Sequence, residues 1–198
     1  MRTQPFKTQT HKINKIMKHL FSALLVGLLL TTCKERTSED PQNQLPPITQ
    51  NGANTAGCLV NGKVLIPRNG VSAIPTVYGL YININNYNPG YYIRLYNVEE
   101  KRRMYIYVQS QNKTGNFTIN QSNGNGTGTS QTLSQMFYEI DNKKYLSSDH
   151  SGLITITRYD YPIVSGTFSA TLYNEDNPSE KIQITDGRFD INVATLNK

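Results

Sequence analysis

Residues 58–66 read Cys-Leu-Val-Asn-Gly-Lys-Val-Leu-Ile, an Asn-Gly pair set between two apolar runs. Asn and Gly both take positive φ at little cost, which a two-residue type I′ turn demands, so the segment predicts a β-hairpin. Pro67 ends its second strand, because proline has no N–H to give to a ladder. The same texture runs to the C-terminus. Short β-branched and aromatic runs predict strands at about 77–86, 91–97, 103–109, 116–119, 136–140, 153–159, 163–174, 181–185 and 188–193. They are broken by Asn88-Pro89-Gly90, the charged run Glu99–Arg102, the Gly/Asn/Thr segment 122–130, Asp141-Asn142, Glu175–Pro178 and Asp186-Gly187. No window of ten residues in this part repeats its apolar positions at the helical period. The expectation is an all-β domain over residues 57–198, an antiparallel β-sandwich or, alternatively, a small up-and-down or lipocalin-like barrel. A domain of this size buries roughly two thirds of its unfolded surface, enough to stand without a disulfide or metal.

Strand side chains alternate between faces, so parity sorts core from surface. Ile82 and Ile84, Ile93 and Leu95, and Met104, Ile106 and Val108 are the expected core positions. The opposite faces carry Tyr81, Asn83, Asn85 and Tyr87, then Tyr92, Arg94 and Tyr96, then Tyr105, Tyr107 and Gln109. If the three strands are neighbours, Tyr92, Arg94, Tyr96, Tyr105 and Tyr107 form a candidate binding face. A tyrosine ring is rigid and flat with a polar tip, suited to stacking on a sugar or anchoring a protein. The competing expectation is cross-strand packing that only stiffens the sheet. The chain has no Trp, which weakens the sugar reading.

Charge divides the chain differently. The net +6 comes almost wholly from residues 1–32, which hold five basic and no acidic residues. From Cys33 onward 15 Lys and Arg face 14 Asp and Glu, a net charge of +1. Nucleic-acid binding, which rests on clustered positive charge, is therefore not expected. Lys18 and His19 precede an eleven-residue apolar run, Leu20–Leu30. A membrane-spanning helix needs about 20 residues, so the run has the length of a signal-peptide core. Residues 1–32 thus read as a signal peptide whose natural start is Met17.

The segment Leu30-Thr-Thr-Cys33 resembles a lipobox, in which the cysteine thiol takes a diacylglycerol and becomes the new N-terminus. Thr32 stands where Gly, Ala or Ser is usual. Cys33 is the expected lipid attachment site and holds the chain to a membrane, with a soluble secreted protein as the alternative. Residues 34–56 are polar, with three prolines, so 33–56 reads as a lipidated flexible tether. Lys34-Glu35 and Glu39-Asp40 loosely resemble the signals that send some Bacteroidota lipoproteins to the cell surface. The stretches Gln50–Thr55 with Gly57-Cys-Leu-Val-Asn-Gly62, and Ser165–Phe168 with Ile184-Thr-Asp-Gly-Arg-Phe-Asp190, resemble the opening and closing motifs of a family of uncharacterised Bacteroidota envelope lipoproteins. That resemblance implies an all-β fold and a cell-envelope location, with the outer membrane as the anchoring surface and the periplasmic or outward orientation left open. It implies no activity.

Residues capable of chemistry are few. Only His150 follows the leader, inside Ser147-Ser-Asp-His-Ser-Gly152, which reads as a polar turn. Cys58 reads as a buried strand cysteine. A nucleophile–histidine pair would need both. Zinc usually takes several His or Cys ligands, so no metal and no cofactor are expected. Glu99 and Glu100 beside Lys101-Arg102-Arg103 read as a self-neutralising hairpin tip, and Asp190 as a partner of Arg188. A glycosidase needs two carboxylates roughly 5 to 10 Å apart; Asp141, Asp149, Asp160 and Asp186 are the candidates. The leading expectation is a non-enzymatic binding domain for a glycan or an envelope protein. An assembly accessory of an envelope complex comes next, and a hydrolase last.

Overall fold

A computed structural model of the chain describes residues 40–70, 75–84, 90–110, 113–126 and 132–198. The leader, Cys33, the first part of the tether, Asn85 and Tyr87 lie outside these. The described residues hold ten strands: β1 (Thr55–Val60), β2 (Lys63–Leu65), β3 (Leu80–Ile84), β4 (Tyr91–Asn97), β5 (Arg102–Val108), β6 (Gly115–Ile119), β7 (Gln135–Ile140), β8 (Lys143–Asp160), β9 (Ile163–Asn174) and β10 (Lys181–Asn192). All pair antiparallel, in the order β2-β1-β10-β9-β8-β7-β5-β4-β3, with β6 joined to the second half of β8. The β1–β2 turn has φ of 48° at Asn61 and 76° at Gly62, as a type I′ turn requires. Asp141 and Asn142, at 49° and 63°, close the β7–β8 hairpin in the same way.

Two elements differ from the sequence expectation, for one reason. Ser147–Gly152 is not a turn but the middle of β8, and Asp186-Gly187 does not separate two strands but lies within β10. Both are β-bulges. The β8–β9 register slips between Ser147 and Gly152, and the β9–β10 register between Ile184 and Gly187. His150 and Asp186 take φ of 55° and 54° there. Polar residues that favour left-handed backbone serve a bulge as well as a turn, and a bulge bends the strand while continuing it.

Those bends curl the sheet into a half-barrel, an arrangement compatible with sandwich and barrel-like packing alike. β2 and β5 are six steps apart in the sheet order, which on a flat sheet would be roughly 29 Å. Yet Arg102 of β5 donates from Nη1 to the Val64 carbonyl of β2 at 2.9 Å. Beyond β2 the chain also bridges to β4: Arg68 N–H donates to the Tyr96 carbonyl at 2.9 Å, and Val98 N–H to the Arg68 carbonyl at 3.3 Å. Arg102 does pair with Glu100 within the charged hairpin tip, whereas Glu99 pairs outside it with Arg68. Arg102 is buried, donating to Tyr138 Oη at 2.8 Å and to Glu100 at 2.7 Å as well. Inside the curl, Ile93, Leu95, Met104, Ile106, Met136, Ile154 and Leu172 are fully buried. The Tyr91 and Tyr159 rings stack across it at 6.1 Å.

Residues 40–54, read from sequence as part of the tether, form an ordered strap over the outer face of β1 and β10. Leu45 is buried against Gly57, where a Cβ would stand 3.1 Å from Leu45 Cδ2 and 3.2 Å from Pro46 Cδ. The strap ends on Asp190. This carboxylate accepts from Thr49 Oγ1 (2.6 Å), the amides of Asn51, Gly52 and Ala53 (3.0, 2.8 and 3.1 Å), and Ser165 Oγ (2.7 Å). Arg188 instead faces Asp186, so the expected Asp190–Arg188 pair is replaced. Polar composition hid the strap, because its order comes from one buried acceptor rather than from apolar area.

Burial of Asp190 opposes its ionisation, but the hydrogen bonds from Thr49, Ser165 and the loop amides outweigh it and hold the pKa at about 2. A folded-state value below the unfolded one gives stability that is present above pH 4 and lost as the pH falls through about 2. At 1.36 kcal/mol per unit this contribution is about 2 kcal/mol. In urea unfolding, the stability gap between wild type and Asp190→Asn should narrow by about 2 kcal/mol between pH 6 and pH 2. A gap independent of pH would show that the carboxylate is not the latch.

Candidate functional site

The ladder fixes which outward side chains are neighbours. Asn83, Tyr92, Tyr107 and Gln135 are aligned across β3, β4, β5 and β7. A second row runs Tyr81, Arg94, Tyr105, Phe137 and on to Leu146 of β8. A third runs Tyr96, Arg103, Glu139 and Lys144. The five residues singled out by parity therefore lie on one face of three consecutive strands, with Ile82, Ile93, Leu95, Met104, Ile106 and Val108 on the other.

The face is not uniformly open. Tyr107 is only 3 % exposed; its ring lies 4.7 Å from that of Tyr92 and its hydroxyl donates to Gln109 Oε1. Tyr105 stacks on Phe137 at 4.4 Å, and the backbone at Gly126 lies against the Tyr105 ring, where a Cβ would come within 2.7 Å. The segment before residue 127 thus folds back over this part of the face. It is tied down by Asn123 N–H to Gln135 Oε1 (3.1 Å) and Lys144 Nζ to the Gly124 carbonyl (3.4 Å). Tyr107 belongs to packing, and Tyr105, though half-buried like its neighbours, is covered on one side at Gly126; the face left uncovered is Tyr81, Tyr92, Arg94, Tyr96 and Arg103.

Within that smaller face each guanidinium lies over a ring. Arg94 Cζ is 5.3 Å from the Tyr81 centroid, and Arg103 Cζ is 4.6 Å from that of Tyr96. Such contacts contribute roughly 0.5–1 kcal/mol at exposed sites and fix the orientation of both groups. Arg94 Nη2 donates to the Tyr78 carbonyl at 3.1 Å, while its buried Nε has no hydrogen-bond partner among the described residues.

Below the third row the sheet opens. Pairing of β5 with β7 stops at Arg103 and Glu139, and the β4–β5 and β7–β8 hairpin tips continue separately. Between them lies a groove of about 680 Å³ that takes in Tyr96 and Arg103 of the candidate face. Lys101, Lys143 and Lys144 add charge to it, and Glu139 and Asp141 are its carboxylates. No local sequence pattern signals it. The two tips are about 40 residues apart in the chain and meet only because β7 pairs with β5 across the insertion 109–134.

The other chemical candidates are dispersed. Cys58 is fully buried, and burial pushes its thiol up to about 12 despite the nearby Arg102 guanidinium. His150 is exposed at the β8 bulge. Asp149 accepts from Gln121 N–H (3.2 Å), Asp160 pairs with Arg158 (3.1 Å), Asp186 accepts from Gln42 Nε2 (2.9 Å), and Asp141 lines the groove. Among the described residues no three His, Cys, Asp or Glu side chains gather closely enough to hold a metal ion.

Comparison with protein-family models, with curated proteins and with solved structures finds no match for the chain.

The division of the face has a measurable consequence. Tyr107→Ala should lower unfolding stability by about 3 kcal/mol, because it opens a packed aromatic site. Tyr81 is 42 % exposed, so Tyr81→Ala should cost less than about 1 kcal/mol. Urea denaturation of the two variants checks the order, and equal losses would contradict it.

Proposed function

We propose that this chain is a lipid-anchored protein of the cell envelope whose β-domain binds a ligand through its outer tyrosine–arginine face and carries out no chemistry on it. The observation that carries the binding reading is the register. It sets Tyr81, Tyr92, Arg94, Tyr96 and Arg103 side by side on one outward face, with rings held by guanidinium groups and an open groove along one margin. Rigid aromatic side chains lose little entropy on binding, which suits them to recognition. The Leu30-Thr-Thr-Cys33 segment, the eleven-residue apolar run before it and the envelope-lipoprotein motifs support the anchor, with the outer membrane as its place. The scattering of His150, Cys58 and the aspartates supports a binding role over a hydrolytic one. A second reading, an assembly accessory, draws on β3, which among the described residues has a strand partner on one side only. A partner strand could pair there.

Cys33→Ala should move the protein from the detergent phase to the aqueous phase on Triton partitioning and abolish its labelling by radioactive palmitate. Retention in the detergent phase would refute the anchor. For binding, the double variant Tyr92→Ala, Arg94→Ala in the full chain should lose at least tenfold in affinity for glycans or envelope extracts that wild type retains, with its melting temperature within a few degrees of wild type. Undiminished binding would remove the face from the reading. A single stoichiometric protein co-purified from solubilised membranes, unaffected by the double variant, would favour the accessory.

A further inference from the structure

The groove between the two hairpin tips carries a more specific assignment, which rests on the binding reading above. Four cations, Lys101, Arg103, Lys143 and Lys144, line it against two carboxylates, Glu139 and Asp141; with Lys143 tied to Glu180 outside the groove, one positive charge remains in excess. In a chain whose net charge beyond the leader is only +1, that excess is local rather than a general property of the surface. Nor is it cancelled from within. Glu139 stands between two cations without a tight pair to either, 3.8 Å from Arg103 and 4.0 Å from Lys144. Lys143 is held by Glu180 at 3.0 Å, and among the described residues Lys101 takes part in no ion pair. Lys101 sits at the tip of the β4–β5 turn with φ of 53°.

The walls tell what kind of anion fits. Tyr96 contributes a ring already oriented by Arg103, and the remaining apolar contribution is small, from Val98 and Ile140. A flat ring beside polar, positively charged walls matches a saccharide that carries acid groups: the ring meets a sugar face, and Lys101 and Arg103 meet the carboxylate or sulfate. The groove is concave, so a planar bilayer surface cannot enter it. It offers little apolar area for the side chains of an acidic peptide. From the groove the outward row leads on to Tyr92, Arg94 and Tyr81, which gives a chain of sugars a surface to run along.

We infer that the groove formed by Tyr96, Lys101, Arg103, Glu139 and Lys144 binds an acidic polysaccharide, with Lys101 and Arg103 as the anion-contacting pair and Glu139 as a charge that limits affinity.

The test uses the full chain bearing Cys33→Ala, so that no acyl chain contributes. Its probes are immobilised polygalacturonate, heparin, neutral dextran and phosphatidylglycerol vesicles. Polygalacturonate, heparin or both should be retained and dextran not, with binding weakened by added salt. Lys101→Gln with Arg103→Gln should weaken retention at least tenfold. Glu139→Gln should strengthen it severalfold, a gain that a merely structural role for these residues would not produce. Circular dichroism of each variant confirms that the fold is kept. Equal binding of dextran and the acidic polymers, or acidic binding untouched by the double variant, would overturn the acidic-ligand assignment while leaving a tyrosine-face binder standing. Binding to vesicles alone would overturn it in favour of a lipid surface. Failure of both acidic polymers to bind would overturn it outright, whereas the binding reading itself is judged by the Tyr92, Arg94 variant.

Discussion

A single β-sheet has two faces and must hide one of them, and every other feature of this domain follows from how that is done. There is no helix layer among the described residues to cover the apolar face. The sheet therefore covers itself, bending until β2 meets β5 and the chain after β2 meets β4. Bending needs places where a strand can change direction without ending, and the bulges at Ser147–Gly152 and Asp186-Gly187 supply them. Arg102 then holds the approach with three acceptors, Val64, Tyr138 and Glu100. A buried guanidinium is tolerable only when so satisfied.

The same curvature explains why the outer face of β3, β4 and β5 is aromatic. The convex side of a bent sheet spreads its side chains apart, and small residues there would leave backbone open to water. Tyrosines paired across strands, with arginines lying on two of them, cover that surface and remain polar at their tips. Structural cover and recognition are thus not competing explanations for the whole face. Its β5 and β7 portion, under the returning segment before residue 127, is packing. What is left open is its β3 and β4 portion together with Arg103 at the start of β5, beside the groove.

Much of the fold was legible because it is written in local chemistry. The Asn61-Gly62 and Asp141-Asn142 turns announce themselves, and period-two alternation in β4 and β5 sorted the inward from the outward face, though not exposure, since outward Tyr107 is buried. What local chemistry could not convey is of two kinds. Asp186-Gly187 and Ser147–Gly152 carry residues that serve turns and bulges equally, so strands that continue looked like strands that stop. Contacts between distant segments were the other gap: the Asp190 latch joins residues about 140 apart, and the groove joins two tips that only the β5–β7 pairing brings together. Of the candidate face, the identities were legible and their exposure was not, because the covering segment near Gly126 has no apolar signature.

The strap changes the mechanics of any anchor at Cys33. With residues 40–54 fastened to the domain, only six residues separate Cys33 from Asp40, a span of at most about 25 Å when fully extended. The domain is then on a short leash. So anchored, it would not sweep a wide volume or reach across a compartment, and whatever it bound would have to come close to the bilayer. Confinement of that kind raises the effective concentration for a ligand lying along the membrane and lowers it for one dispersed in solution. With an anchor at Cys33, one buried carboxylate, by taking in the end of a polar segment, would set the working distance of the whole protein.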